Sequence, residues 1–237
     1  MQSKIENYLK KYMNSDSPKL KKELVRKIKK YQKNIVLLNT IINLIKNHNK
    51  KTIDIFLPVL FFQDKKLRKD IFVKYKDDTC SFAEKKILIE LLKKKKTKAS
   101  LAILLKLYEM EKEEKLLDDI LFSLTFFNNE KVVNIILKEL TNQKYLLKIL
   151  TGLTKNEALY LSSIDLLRKL AQLNPRNNFE KSHLMTIKKT IITEFGFTNF
   201  DEVKKALESD ILEKKVNAYN KRQKEINDLL NQVRIEN

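Results

Sequence analysis

Apolar residues recur every three or four positions along most of this chain, the spacing that gathers them on one face of an α-helix. Leu37, Ile41 and Ile45 form one such face, and Leu88, Leu91 and Leu92 a second. Ile103, Leu104 and Leu107 form a third, and Val132, Ile136 and Leu140 a fourth. Helix-start signals fall where these faces begin. Ser17 before Pro18 reads as an N-cap followed by proline at the first helical position, where its missing N–H is an orphan in any case. Ser81 with Glu84, Thr154 with Glu157 and Thr198 with Asp201 have the spacing of capping boxes. Boundaries near Ser81, Thr97, Glu113 and Asn129 lie sixteen residues apart, which predicts helices of about three to four turns with short links. Two glycines (Gly152, Gly196) and three prolines (Pro18, Pro58, Pro175) are the only strong breakers. A sheet protein of this length needs more residues tolerant of positive φ for its hairpins, so the chain is predicted to be all-α.

Aligned on their apolar faces, the helices repeat in pairs every 30 to 33 residues. The clearest unit runs through Leu57, Pro58, Leu60, Asp64, Leu67, Arg68, Ile71 and Tyr75. One repeat later, Ile89, Leu92, Lys96, Ala99, Ser100, Ile103 and Leu107 take the matching slots. Two repeats later they are taken by Phe122, Asn129, Val132, Val133, Ile136 and Leu140, and one repeat earlier by Asn34, Leu37, Leu38, Ile41 and Ile45. Apolar slots match and polar ones mostly do not, as stacking hairpins require.

The unit at 57–75 resembles the HEAT family of α-helical repeats. The resemblance implies a proline that kinks the first helix (Pro58), an aspartate in the turn (Asp64) and an arginine early in the second helix that reaches turn groups of neighbouring repeats (Arg68). It also implies a right-handed α-solenoid of stacked antiparallel helix pairs. The looser spacing extends over about 20–170. After Pro175 the pattern changes, so residues 1–175 are expected to form the repeat domain and 176–237 a helical cap or extension. Phe179–Phe195 reads as one amphipathic helix closed by Gly196. Residues 199–237 are charged, with apolar positions at Val203, Leu207, Ile211, Tyr219, Ile226, Leu230 and Val233.

Charge narrows the picture. The net charge is +19, and residues 1–100 carry 27 Lys and Arg against 10 Asp and Glu, whereas 101–237 carry 22 against 20. A basic first part attracts phosphates, acidic proteins or anionic lipid heads. Six of the 49 basic residues are Arg, and Arg is the better bidentate reader of phosphates and bases; the excess of Lys, with abundant Asn and Ile, equally fits codon bias. The most suggestive cluster is Lys19, Lys21, Lys22, Arg26, Lys27, Lys29 and Lys30, crowded on one helix whose buried stripe is expected to be Leu20, Leu24, Val25 and Ile28. Lys65, Lys66, Arg68 and Lys69 on a second helix would extend it into a stripe. Lys93, Lys94, Lys95 and Lys96, with Lys98, form the densest run, at a helix end where cations complement the dipole.

Reactive constellations are sparse. His48, in a polar link at 46–51, and His183 are the only histidines, so a nucleophile–base pair has few options. Cys80 precedes a helix start, yet a lone cysteine usually behaves as a small hydrophobe. Glu109, Glu111, Glu113, Glu114, Asp118 and Asp119 form the richest acidic stretch; Glu113 and Glu114 suit a first helical turn, with Asp118 and Asp119 facing solvent. No metal site, catalytic residue or cofactor is predicted. Phe61, Phe62, Phe126 and Phe127 occupy apolar positions at helix ends, which suits packing better than base stacking. The longest apolar stretch, 53–62, is about half of what a bilayer span needs, no secretory signal is visible at the start, and one cysteine fits a reducing compartment. A cytoplasmic protein is expected. The reading is a non-enzymatic binding or scaffold module that presents its basic N-terminal surface to a protein or peptide partner. The alternative is a nucleic-acid-binding protein, which the HEAT resemblance extends to the HEAT-like DNA glycosylases.

Overall fold

Most of the capping residues read from the sequence do start helices. The computed structural model describes residues 2–31, 35–48, 52–61 and 65–235. Asn34, Phe62 and Asp64, which carry expectations above, lie outside the described residues, as does the side chain of Val233. Among the described residues there are fifteen α-helices and no strand, so the chain is all-α.

The chain divides into two compact units, Met1–Leu124 and Thr125–Asn237. The expected boundary at 175/176 falls inside the second, between its fourth and fifth helices. In the first unit the helices are α1 (Gln2–Asn14), α2 (Pro18–Lys29), α3 (Ile35–His48), α4 (Ile53–Phe56), α5 (Lys65–Lys76), α6 (Phe82–Lys95), α7 (Lys98–Met110) and α8 (Glu114–Leu124). A 3-10 turn, Leu57–Val59, continues α4 and holds Pro58 in its first positions. The helices touch in two rows: α1, α3, α5 and α7 in succession, and α2, the 57–59 turn, α6 and α8 in succession. The slots matched by the repeat are buried on alternate helices: Leu37, Ile41 and Ile45 on α3, Leu67, Ile71 and Tyr75 on α5, Ala99, Ile103 and Leu107 on α7.

The second unit comprises α9 (Glu130–Asn142), α10 (Leu146–Leu153), α11 (Glu157–Leu161), α12 (Ile164–Ala171), α13 (Asn178–Phe195), α14 (Phe200–Leu207) and α15 (Asp210–Ile235). On α9 the same slots, Val132, Ile136 and Leu140, are fully buried. Leu212, Val216 and Tyr219 bury the first half of α15, whereas Ile211, Ile226 and Leu230 are exposed. Gly152 on α10 permits a close approach, since a Cβ there would collide with the buried side chain of Thr125.

Several local expectations hold. Ser17 caps α2 ahead of Pro18, and Ser81 with Glu84 forms a complete capping box on α6. Thr97 and Asn129 cap α7 and α9, and Gly196 closes α13 at φ 67°. Others shift. Thr154 closes α10 and donates its hydroxyl to Thr151 O, so α11 begins after Asn156 instead. Asn199, the stronger cap type, displaces Thr198 at α14, and Glu202 displaces Asp201 because its longer side chain reaches back to Thr198 N at 2.9 Å. Of the polar link expected at 46–51, residues 46–48 belong to α3, and 49–51 lie outside the described residues.

Candidate binding surface

The α2 helix has one buried edge, Leu24 and Ile28, with Val25 beside it half-buried. Leu20, expected in that stripe, is instead 40% exposed. At 100° per residue, Lys19, Lys22, Arg26 and Lys30 fall within an arc of about 80° centred opposite the buried edge. All four are exposed, and none forms an ion pair among the described residues. From Lys19 to Lys30 the row rises over eleven residue steps, about 16 Å at 1.5 Å per residue. Lys27 borders it but is matched by Glu23 one turn earlier at 2.6 Å. Lys21 and Lys29 are engaged sideways, with ammonium groups 5.7 Å from the Tyr12 ring centre and 5.3 Å from that of Phe61.

The other basic clusters are employed within the fold. On α5, Lys66 pairs with the buried Asp70 at 2.9 Å, and Arg68 has its Nε buried without a hydrogen-bond partner; Lys65 and Lys69 remain exposed. At the end of α6, Lys93 pairs with Glu90 and covers the Phe122 ring at 4.8 Å. Lys94 pairs with Asp54 at 2.8 Å, and Lys95 donates to the carbonyl of Leu57 at 3.3 Å. Lys96 adopts the left-handed conformation that ends the helix, φ 47°. Thus α2 and the end of α6 both border the 53–61 segment, from which Lys29 meets Phe61 and Lys94 meets Asp54.

The reactive residues are dispersed. His48 is exposed at the end of α3, while His183 Nε2 lies 3.2 Å from Thr151 Oγ1. Cys80 is buried, and burial raises its thiol pKa despite the nearby Lys74. Asp118 and Asp119, expected to face solvent, are half-buried on the inner flank of α8, where Asp119 meets Lys86 at 3.1 Å. Glu111 accepts the Tyr75 hydroxyl at 2.6 Å and the backbone N–H groups of Lys112 and Glu113. Burial alone would raise its pKa, but these donors hold its carboxyl below the usual range. Among the described residues, no three His, Cys, Asp or Glu side chains gather as a metal-sized cluster. No described helix is long and apolar enough to cross a membrane. Phe127 is buried and Phe126 half-buried.

One feature was not grouped from the sequence. Asn39, Lys74 and Glu84, from three different helices, line a single cavity of the first unit. The available signal was Asn39 itself, a polar residue amid the apolar run at the start of α3.

No protein-family model, curated protein or solved structure matches the chain.

Proposed function

We propose that the protein is a non-enzymatic helical-repeat binding module whose α2 face receives an acidic protein or peptide segment. In this reading the helices within each unit stack as HEAT-like antiparallel pairs, with the two rows of Met1–Leu124 as the supporting arrangement. The observation that carries the proposal is the row Lys19, Lys22, Arg26 and Lys30, exposed and without an ion pair among the described residues. A partner helix repeats its side chains with the same period, so carboxylates three or four residues apart meet successive cations of the row. Three of the row's four cations are Lys, whereas Arg is the better bidentate reader of phosphates and bases. The Tyr12 and Phe61 rings lie against Lys21 and Lys29.

The test is fluorescence anisotropy with a labelled Glu-rich helical peptide, competed by duplex and single-stranded DNA of equal charge. The peptide is expected to bind with strong salt dependence and to lose at least about tenfold in affinity when Lys19, Lys22, Arg26 and Lys30 are replaced by Glu. DNA binding with a log–log salt slope of roughly 0.9 per phosphate, alongside weak peptide binding, would place the protein in the nucleic-acid class and overturn the proposal.

A further inference from the structure

Away from the α2 row, the beginning of α1, one flank of α3, the end of α5 and the beginning of α6 line a half-open cavity of about 270 Å³. That is roughly nine times a water molecule's share of liquid volume, about 30 Å³, and sits just below the range of roughly 300–1,000 Å³ common for ligand sites. Val36 and Ile42 give it an apolar part, while Gln2, Asn39, Asn43, Lys74 and Glu84 supply polar groups from four helices.

These polar groups are incompletely matched. Asn39 Oδ1 is buried with no donor. Lys74 has no ion pair among the described residues, although Asn39 and Glu84 line the same space. Glu84 Oε2 is committed to Ser81, accepting from its backbone N at 2.9 Å and its hydroxyl at 3.0 Å. Its Oε1 meets Lys46 only at 3.5 Å. Burial would raise the Glu84 pKa, but the Ser81 donors and the positive field of Lys74 and Lys46 keep it ionised and below the usual range. A cation and an anion therefore face one cavity without touching, with a donorless amide oxygen in the same lining.

We propose that this cavity binds a small free α-amino acid, its carboxylate on Lys74 and its ammonium shared by Asn39 Oδ1 and Glu84 Oε1. A zwitterion carries one group complementary to Lys74 and another complementary to Glu84, so each end gains a charge-assisted hydrogen bond. A simple amine or a simple acid satisfies one of these charges and leaves the other as it was. The side chain rests on Val36 and Ile42.

The test uses the full chain with glycine, L-alanine, L-serine and L-valine as probes, and propylamine and propionate as single-ended controls, read by calorimetry and saturation-transfer NMR. At least one amino acid is expected to saturate the protein about tenfold or more tighter than either control. Lys74→Met and Asn39→Leu are each expected to weaken that binding by about tenfold. Asn39→Leu removes the donorless oxygen and so is expected to leave melting temperature unchanged or raised. If the amino acids bind no better than the single-ended controls, the wild-type protein alone overturns the proposal. It also fails if Asn39→Leu, folded by circular dichroism, keeps full affinity.

Discussion

Two residues do work usually given to glycine. Lys96 (φ 47°) and Gln143 (φ 56°) close α6 and α9 in the left-handed region, where only Gly196 among the glycines joins them. A non-glycine residue there sets its Cβ against the following carbonyl, at a cost of roughly 1–2 kcal/mol. Gln143→Gly is therefore expected to stabilise the second unit by about 0.5–1 kcal/mol, measured by urea denaturation. Gly152→Ala should do the reverse: the added methyl meets Thr125, and overpacking of this kind costs about 1–3 kcal/mol. Glu180 gives a pH signature. It is 1% exposed, pairs with Arg176 at 2.8 Å and accepts from Arg176 N at 2.7 Å. Burial opposes ionisation, yet these donors win and its pKa lies below the ordinary value. Its stabilisation is thus complete above the unfolded pKa, about 4.3, and is lost as pH falls through the lower folded value. The difference in melting temperature between wild type and Glu180→Gln is expected to be largest near pH 7 and to close in strong acid.

At the scale of elements, capping decides where helices begin, and its strength can be measured. Ser81→Ala removes the acceptor for Glu84 N and the hydroxyl that engages Glu84 Oε2, and is expected to cost about 0.5–2 kcal/mol in thermal or urea unfolding. Boundaries were legible in the sequence where the chosen cap was the last candidate before the apolar run, as at Ser17, Ser81, Thr97 and Asn129. They were misplaced at Thr154 and Thr198, where a later cap type, Asn156 or Asn199, follows, because the choice depends on where the preceding helix ends and which side chain reaches the exposed N–H groups. Burial followed periodicity on α3, α5, α7 and α9. It failed at Leu20, Asp118 and Asp119, since period alone does not say how wide a stripe the neighbouring helix covers. The cavity residues were invisible for a related reason: Asn39, Lys74 and Glu84 lie far apart in sequence and meet only through packing.

At the scale of the molecule, most of the basic excess belongs to one unit. Met1–Leu124 holds 30 Lys and Arg against 16 Asp and Glu, and Thr125–Asn237 holds 19 against 14. Many cations of the first unit meet internal carboxylates, carbonyls and aromatic rings, whereas the α2 row forms no ion pair among the described residues. An encounter with an acidic partner driven by that row is screened over about 10 Å at 0.1 M salt, so association should slow as salt rises. The central claim is that α2 is the surface which meets the partner. Its most direct test is a two-dimensional amide NMR titration of the ¹⁵N-labelled chain with a Glu-rich helical peptide. Shift changes concentrated at residues 17–30, and absent when Lys19, Lys22, Arg26 and Lys30 are replaced by Glu, are the predicted result. Changes centred elsewhere, or none at saturating peptide, would contradict it.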